Sequence, residues 1–277
     1  MAIIEKLRGR FRRWDRRLTV SKRQQFIIIT GILTVGLILT QLAPSEARYP
    51  LVFVLSLLAY GLSAFGLRED LKRAEWVTLL TLPTLFTTAV ATFYFLLPVR
   101  WLTRVPVAAL YAVGMYGLLL TENIYNVAAA RTIALLRAAH SVGFLLTLVT
   151  FFLLVQTVLA FRLWGVVSAV VVGGIATLLI LQSLWAVELE TKISRRVGDL
   201  AIALGIAVVE ITWILSLWPV KSTLTALFLT TFLYSTTGMA QQYVADRLYK
   251  RTVIEFFSVT FVVLCIVLLT THWRGNL

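Results

Sequence analysis

The chain has 277 residues, 59% of them hydrophobic and only 14% charged, with a formal net charge of +13. Soluble domains run at roughly 45–50% apolar and about 25% charged, so there is too little polar surface here for a water-soluble globule. The positive charge finds no soluble basic fold that presents a reading element to nucleic acid, and the one cysteine, Cys265, has no partner for a disulfide or a multi-cysteine metal site.

The first 22 residues read as a basic amphipathic arm. Ile4, Leu7, Phe11, Trp14 and Leu18 recur at helical spacing while Arg8, Arg12, Arg13, Arg16 and Arg17 point elsewhere. That pattern predicts a helix lying on the inner leaflet, its apolar face and Trp14 in the headgroup boundary. Each basic residue near that surface attracts anionic lipid at about 1 kcal/mol.

Nine apolar windows follow, at 26–43, 51–67, 77–97, 105–122, 141–160, 164–187, 198–218, 222–241 and 252–271. Each is long enough to cross about 30 Å as a helix, and none alternates with the period of two that a barrel strand needs. The expected fold is therefore an all-α polytopic transmembrane bundle. The first window exceeds the roughly 7–15 residues of a secretory signal core and reads as an anchor. Pro44, Pro50, Pro98, Pro106 and Pro219 are expected to mark turns between spans, and Pro83 to kink the third.

The cationic residues alternate with the spans. Twenty of the 26 fall on the arm and on every second connector, among them Arg68, Arg73, Arg131, Arg137, Arg195, Arg196, Arg247 and Arg251; only Arg48, Arg100, Arg104, Arg162, Lys221 and Arg274 fall on the other side. Positive connectors stay in the cytoplasm, which predicts a cell-membrane protein with its N-terminus inside and, after nine crossings, its C-terminus outside.

Leu97-Pro98-Val99-Arg100 ends the third window and Trp218-Pro219-Val220-Lys221 the seventh, 121 positions later. The match predicts a parallel duplication of the form 1+4+4. The first span stands alone at 26–43, one four-span unit covers 50–160 and a second covers 164–272, the two related by an axis along the membrane normal.

Two polar groups stand out inside or beside the hydrocarbon. Glu210 is the thirteenth residue of its 21-residue window, where an ionised carboxylate costs at least about 2.5–3.5 kcal/mol. A neutral, hydrogen-bonded acid is the expected form. Its expected partners are the stripe Thr81, Thr84, Thr88 and Thr92 on the third span, together with Gln156 and Gln182, at an interface between the two units. Such a site is either a proton or cation site or a polar clasp between helices.

The second group is a pocket at the inner face, built from Glu122, Asn123, Asn126, Arg131, Arg137, His140 and Glu255, which suits a headgroup or a polar solute. Glu122 and Asn126 share a helix face, and His140 is expected to hydrogen-bond at a helix end.

No P-loop is present, the two histidines fall on opposite membrane faces, and no span interior carries a lysine for a Schiff base. No catalytic residue, metal site or cofactor is therefore expected. The leading expectation is a transporter or permease-like protein for a small solute or lipid and not an enzyme. A membrane scaffold with a protein partner comes second and a lipid-modifying enzyme third; the sequence does not fix the oligomeric state.

Overall fold

The computed structural model describes residues 21–67, 75–97, 101–128, 135–190 and 192–271. The arm with Arg8, Arg12, Arg13, Trp14, Arg16 and Arg17 lies outside these residues, as does Arg131.

Nine long α-helices run through the described residues: α1 Lys22–Leu42, α2 Arg48–Leu67, α3 Glu75–Tyr94, α4 Trp101–Ala128, α5 Leu136–Ala160, α6 Gly165–Glu188, α7 Arg195–Ser216, α8 Ser222–Val244 and α9 Lys250–Thr270. Their starts are chemically marked. Ser21 and Gln24 form a capping box on α1, with the Gln24 amide donating to Ser21 Oγ at 3.4 Å and the Ser21 amide to Gln24 Oε1 at 3.0 Å. Ser194 Oγ accepts from the Val197 amide at the head of α7.

Eight of the nine are long and apolar enough to cross a membrane, and the chain is a multi-pass helical membrane protein. The exception is α8, whose 23 residues hold six threonines, two serines and a pair of glutamines. These are sheltered by packing: Thr225, Ser235 and Thr237 are buried, and α8 touches α5, α6, α7 and α9.

Helix pairing sorts the bundle into two rings. In the first, α1 packs on α2, α2 on α3, α3 on α4 and α4 back on α1; in the second, α5 packs on α6, α6 on α7, α7 on α8 and α8 back on α5. The rings join where α3 and α4 meet α5 and where α3 meets α6, and α9 packs on α8 from outside. These groups begin one helix earlier than the units expected at 50–160 and 164–272.

The tightest seam joins α6 to α7. A methyl on Gly173 would collide with Val209 and press on the Gly205 carbonyl, and one on Gly205 would collide with Thr177. The missing side chains are what let the two backbones approach. Ala169, one turn from Gly173, is buried in the same contact, so this small-residue spacing serves packing within the chain.

One detail differs from the sequence reading. Pro106 lies inside α4, five residues past its first residue, and does not mark a turn. Pro83 lies inside α3, as expected, and Thr87 Oγ1 donates to the Pro83 carbonyl at 2.8 Å. Trp185 is buried in the core, and its indole N–H donates to the Glu190 carbonyl at 2.9 Å.

Candidate functional site

The ends of α2, α4, α6 and α8 and the start of α5 come together at the end of the bundle that carries the cationic connectors. α4 stays helical six residues past the predicted limit of 122 because its polar residues turn inward: Leu118, Leu119, Glu122, Tyr125 and Asn126 form one buried face. The periodicity is that of an ordinary core stripe, with a carboxylic acid and an amide substituted into it.

Glu122 is fully buried, at 0% exposure. Its Oε1 accepts a hydrogen bond from Gln182 Nε2 of α6 at 2.9 Å, whereas Oε2 has no hydrogen-bond partner. One turn on, Asn126 Nδ2 donates to the Leu67 carbonyl of α2 at 3.1 Å while Oδ1 is unpaired, as is Oε1 of Gln182. Among the described residues no cation pairs with Glu122. A layer with three unpaired oxygens and one weakly tied acid has spare capacity to accept a donor or a cation, since buried polar groups are normally satisfied.

Above that layer the helices are held by their backbones. Tyr125 Oη donates to the Ala139 carbonyl at 2.9 Å, and His140 Nε2 lies 2.7 Å from the Ala186 carbonyl, the Tyr125 and His140 rings being 5.5 Å apart. Gln241 of α8 donates to Ser183 Oγ at 2.8 Å. These bonds clasp α4 to α5, α5 to α6 and α6 to α8 around a common point.

An open cavity of about 510 Å³ reaches this point, lined by Leu136, Arg137, His140, Ser141, Phe144, Val187, Gln241, Gln242, Ala245 and Arg247. Two exposed guanidinium groups, Arg137 and Arg247, line it, with no acid among the lining residues. A second cavity of about 10 Å³, the size of one water, is lined by Tyr125, Gly143, Thr147, Gln182, Ser183 and Ala186 and shares His140, Phe144 and Gln241 with the first. Gln182, which binds Glu122, thus also borders the smaller cavity. A string of polar groups leads from the open rim to the buried acid.

The residues predicted from sequence are distributed as follows. Glu122, Asn126, Arg137, His140 and Gln182 are brought together. Asn123 is half-buried beside them. Glu255 is not part of the pocket: it lies exposed on α9 and pairs with Arg251, one turn away, at 3.2 Å.

Glu210 is not at an interface between units. The buried face of α7 is Val197, Ala201, Gly205, Val208, Thr212 and Leu215, and Glu210, two residues past Val208, points to the opposite, exposed side. The threonine stripe serves α3's own packing. Thr81, Thr84 and Thr88 donate to the carbonyls of Val77, Leu80 and Thr84, and Thr88 meets Ser56 of α2 at 2.7 Å. Gln156 donates to Thr223 of α8 at 2.9 Å.

Sequence reasoning missed Ser183, Gln241, Gln242 and Arg247 as cavity residues and assigned Gln182 to the wrong acid. One signal was available: Glu122 and Gln182 each stand six residues from the end of their helices, α4 and α6, which run in the same direction. Equal depth would have paired them.

A family model described as a protein of unknown function (DUF5656) matches residues 125–270, just over half of the chain. The matched stretch runs from Tyr125 to the end of α9 and takes in His140, Gln182, Gln241 and Arg247. No curated protein and no solved structure matches the chain.

Proposed function

The chain belongs to a family of proteins of unknown function (DUF5656), and we propose that this member is a transporter or permease-like protein of the cell membrane, not an enzyme. Its basic connectors face the cytoplasm, so the N-terminus is inside and the C-terminus outside. The arm binds anionic lipid of the inner leaflet.

In this reading a small anionic solute or lipid headgroup enters the open cavity from the cytoplasm, and Arg137, Arg247 and His140 meet its charge. Glu122 takes up or releases a proton or small cation as the helices around it rearrange. The α1–α4 and α5–α8 rings act as two halves: the cavity belongs to the second ring, and Glu122 of the first meets it through Gln182. The observation that carries the reading is the fully buried Glu122 carboxyl, with one hydrogen bond and one unpaired oxygen, joined through Gln182 to a cavity rimmed by Arg137 and Arg247.

The test uses purified full-length protein in liposomes containing a pH-sensitive dye. Imposed gradients of inorganic phosphate, phosphate esters and small carboxylates are compared. At least one of these anions is expected to drive proton or cation flux. Glu122→Gln should cut that flux at least tenfold with the fold intact, and Arg137→Ala with Arg247→Ala should raise the half-saturating solute concentration. Flux unchanged in Glu122→Gln, or no flux with any anion, overturns the proposal.

One observation favours a second reading, a membrane assembly partner. α9 packs on α8 through Ser235 and Thr260, 2.7 Å apart, yet its one buried residue is Val267. A protein that copurifies with the whole chain and is lost when α9's outward residues Ile254 and Phe261 are made alanine would support it.

A further inference from the structure

Glu210 is the most anomalous group on the outside of the bundle. By helical rise it lies about 12 Å from Trp218, close to the middle of a hydrocarbon layer roughly 30 Å thick. It is exposed there, and among the described residues it makes no hydrogen bond or ion pair. A glutamate side chain is too short to reach either interface from that depth. Polar groups at this depth almost always face protein or a water-filled cavity.

The surface around it has a defined pattern. Asp199, Ala203, Ile206, Glu210, Trp213 and Leu217 are all exposed and recur at spacings of four, three, four, three and four. This is the spacing that the seam of a left-handed helix pair requires, with Glu210 near its centre. The opposite face of α7 is fully engaged with α6 and α8, so the seam is free to meet another chain.

We infer that α7 is the contact surface for a second copy of this protein, with Glu210 at the centre of a parallel α7–α7 interface. Copies inserted with the same topology are related by a two-fold axis along the membrane normal, which places Glu210 opposite Glu210 of the second copy at equal depth. A carboxylic acid group both donates and accepts, so two of them can satisfy each other, and a polar residue at the centre of such a seam fixes register and oligomeric state. The flanking Ala203 permits close approach, and Ile206 and Trp213 cover the polar pair from lipid.

The test is dilution of fluorescently labelled full-length protein in liposomes, with association read by energy transfer. Single cysteines are also placed at Ile206, Trp213 or, as an off-seam control on α9, Ile254, in a Cys265→Ser background. A dimer is expected, cross-linking at 206 and 213 and not at 254. Glu210→Leu should weaken it about 5- to 30-fold, the range expected for an intramembrane hydrogen bond, and Glu210→Gln should keep it within a few-fold. The thermal unfolding of the monomer should not suffer in Glu210→Leu.

Four outcomes overturn the proposal: a monomer at every protein-to-lipid ratio, cross-linking only at 254, association unchanged in Glu210→Leu, or unfolding of that variant. Association that requires a different copurifying protein overturns it as well.

Discussion

Carboxyl groups at Glu122 and Glu210 have the same intrinsic chemistry and opposite surroundings. Glu122 sits on a helix face shared with Leu118, Leu119, Tyr125 and Asn126 and receives Gln182, whereas Glu210 lies across α7 from Gly205 and Thr212. Removing the donor while keeping the acid is the harsher change, because a buried acceptor then loses its last partner. Gln182→Leu should cost about 1–3 kcal/mol and lower the unfolding temperature in detergent. Glu122→Gln, which keeps an acceptor for Gln182, should cost clearly less; equal losses would show that the bond is not the support the geometry makes it. The sequence exposes both acids as rare polar residues within apolar stretches but not which way each faces. Hydropathy averages over a window, and orientation is decided by the neighbours that claim the small-residue side of the helix.

At the scale of helices, composition was nearly sufficient: each of the nine apolar windows overlaps one helix. The largest discrepancy, 105–122 against Trp101–Ala128, has a physical cause. Pro106 and the inward-turned Glu122, Asn123 and Asn126 lower the local apolarity without breaking the helix. Packing was less legible, since small residues permit close contact without naming the partner. The α6–α7 seam can be tested directly. Gly205→Val should force Thr177 and the two backbones apart at a cost of about 1–3 kcal/mol. Gly31→Ala, where an added methyl meets nothing within 4 Å, should be neutral or stabilise by roughly 0.5–1 kcal/mol. Thermal unfolding of the two variants gives the comparison, and equal behaviour would contradict the close approach at Gly173 and Gly205.

The described residues form two closed four-helix rings with one helix added at the end. The Leu97-Pro98 and Trp218-Pro219 match is as compatible with pairing α1–α4 with α5–α8 as with pairing α2–α5 with α6–α9. The contacts close rings over α1–α4 and α5–α8, because α4 returns to α1 and α8 returns to α5. Charge alternation gives a separate prediction: tags on the two ends should be accessible from opposite sides of the membrane, and finding both on one side would remove an odd number of crossings. Glu122 of the first ring is bonded to Gln182 of the second, beside the cavity rimmed by Arg137 and Arg247. Infrared difference spectra of the reconstituted protein, recorded across pH with Glu122→Gln as the subtraction standard, test that junction most directly. A carboxyl band that titrates, vanishes in Glu122→Gln and shifts when an anion fills the cavity is the result expected. A Glu122 band that answers neither pH nor anion while the protein stays folded would contradict it.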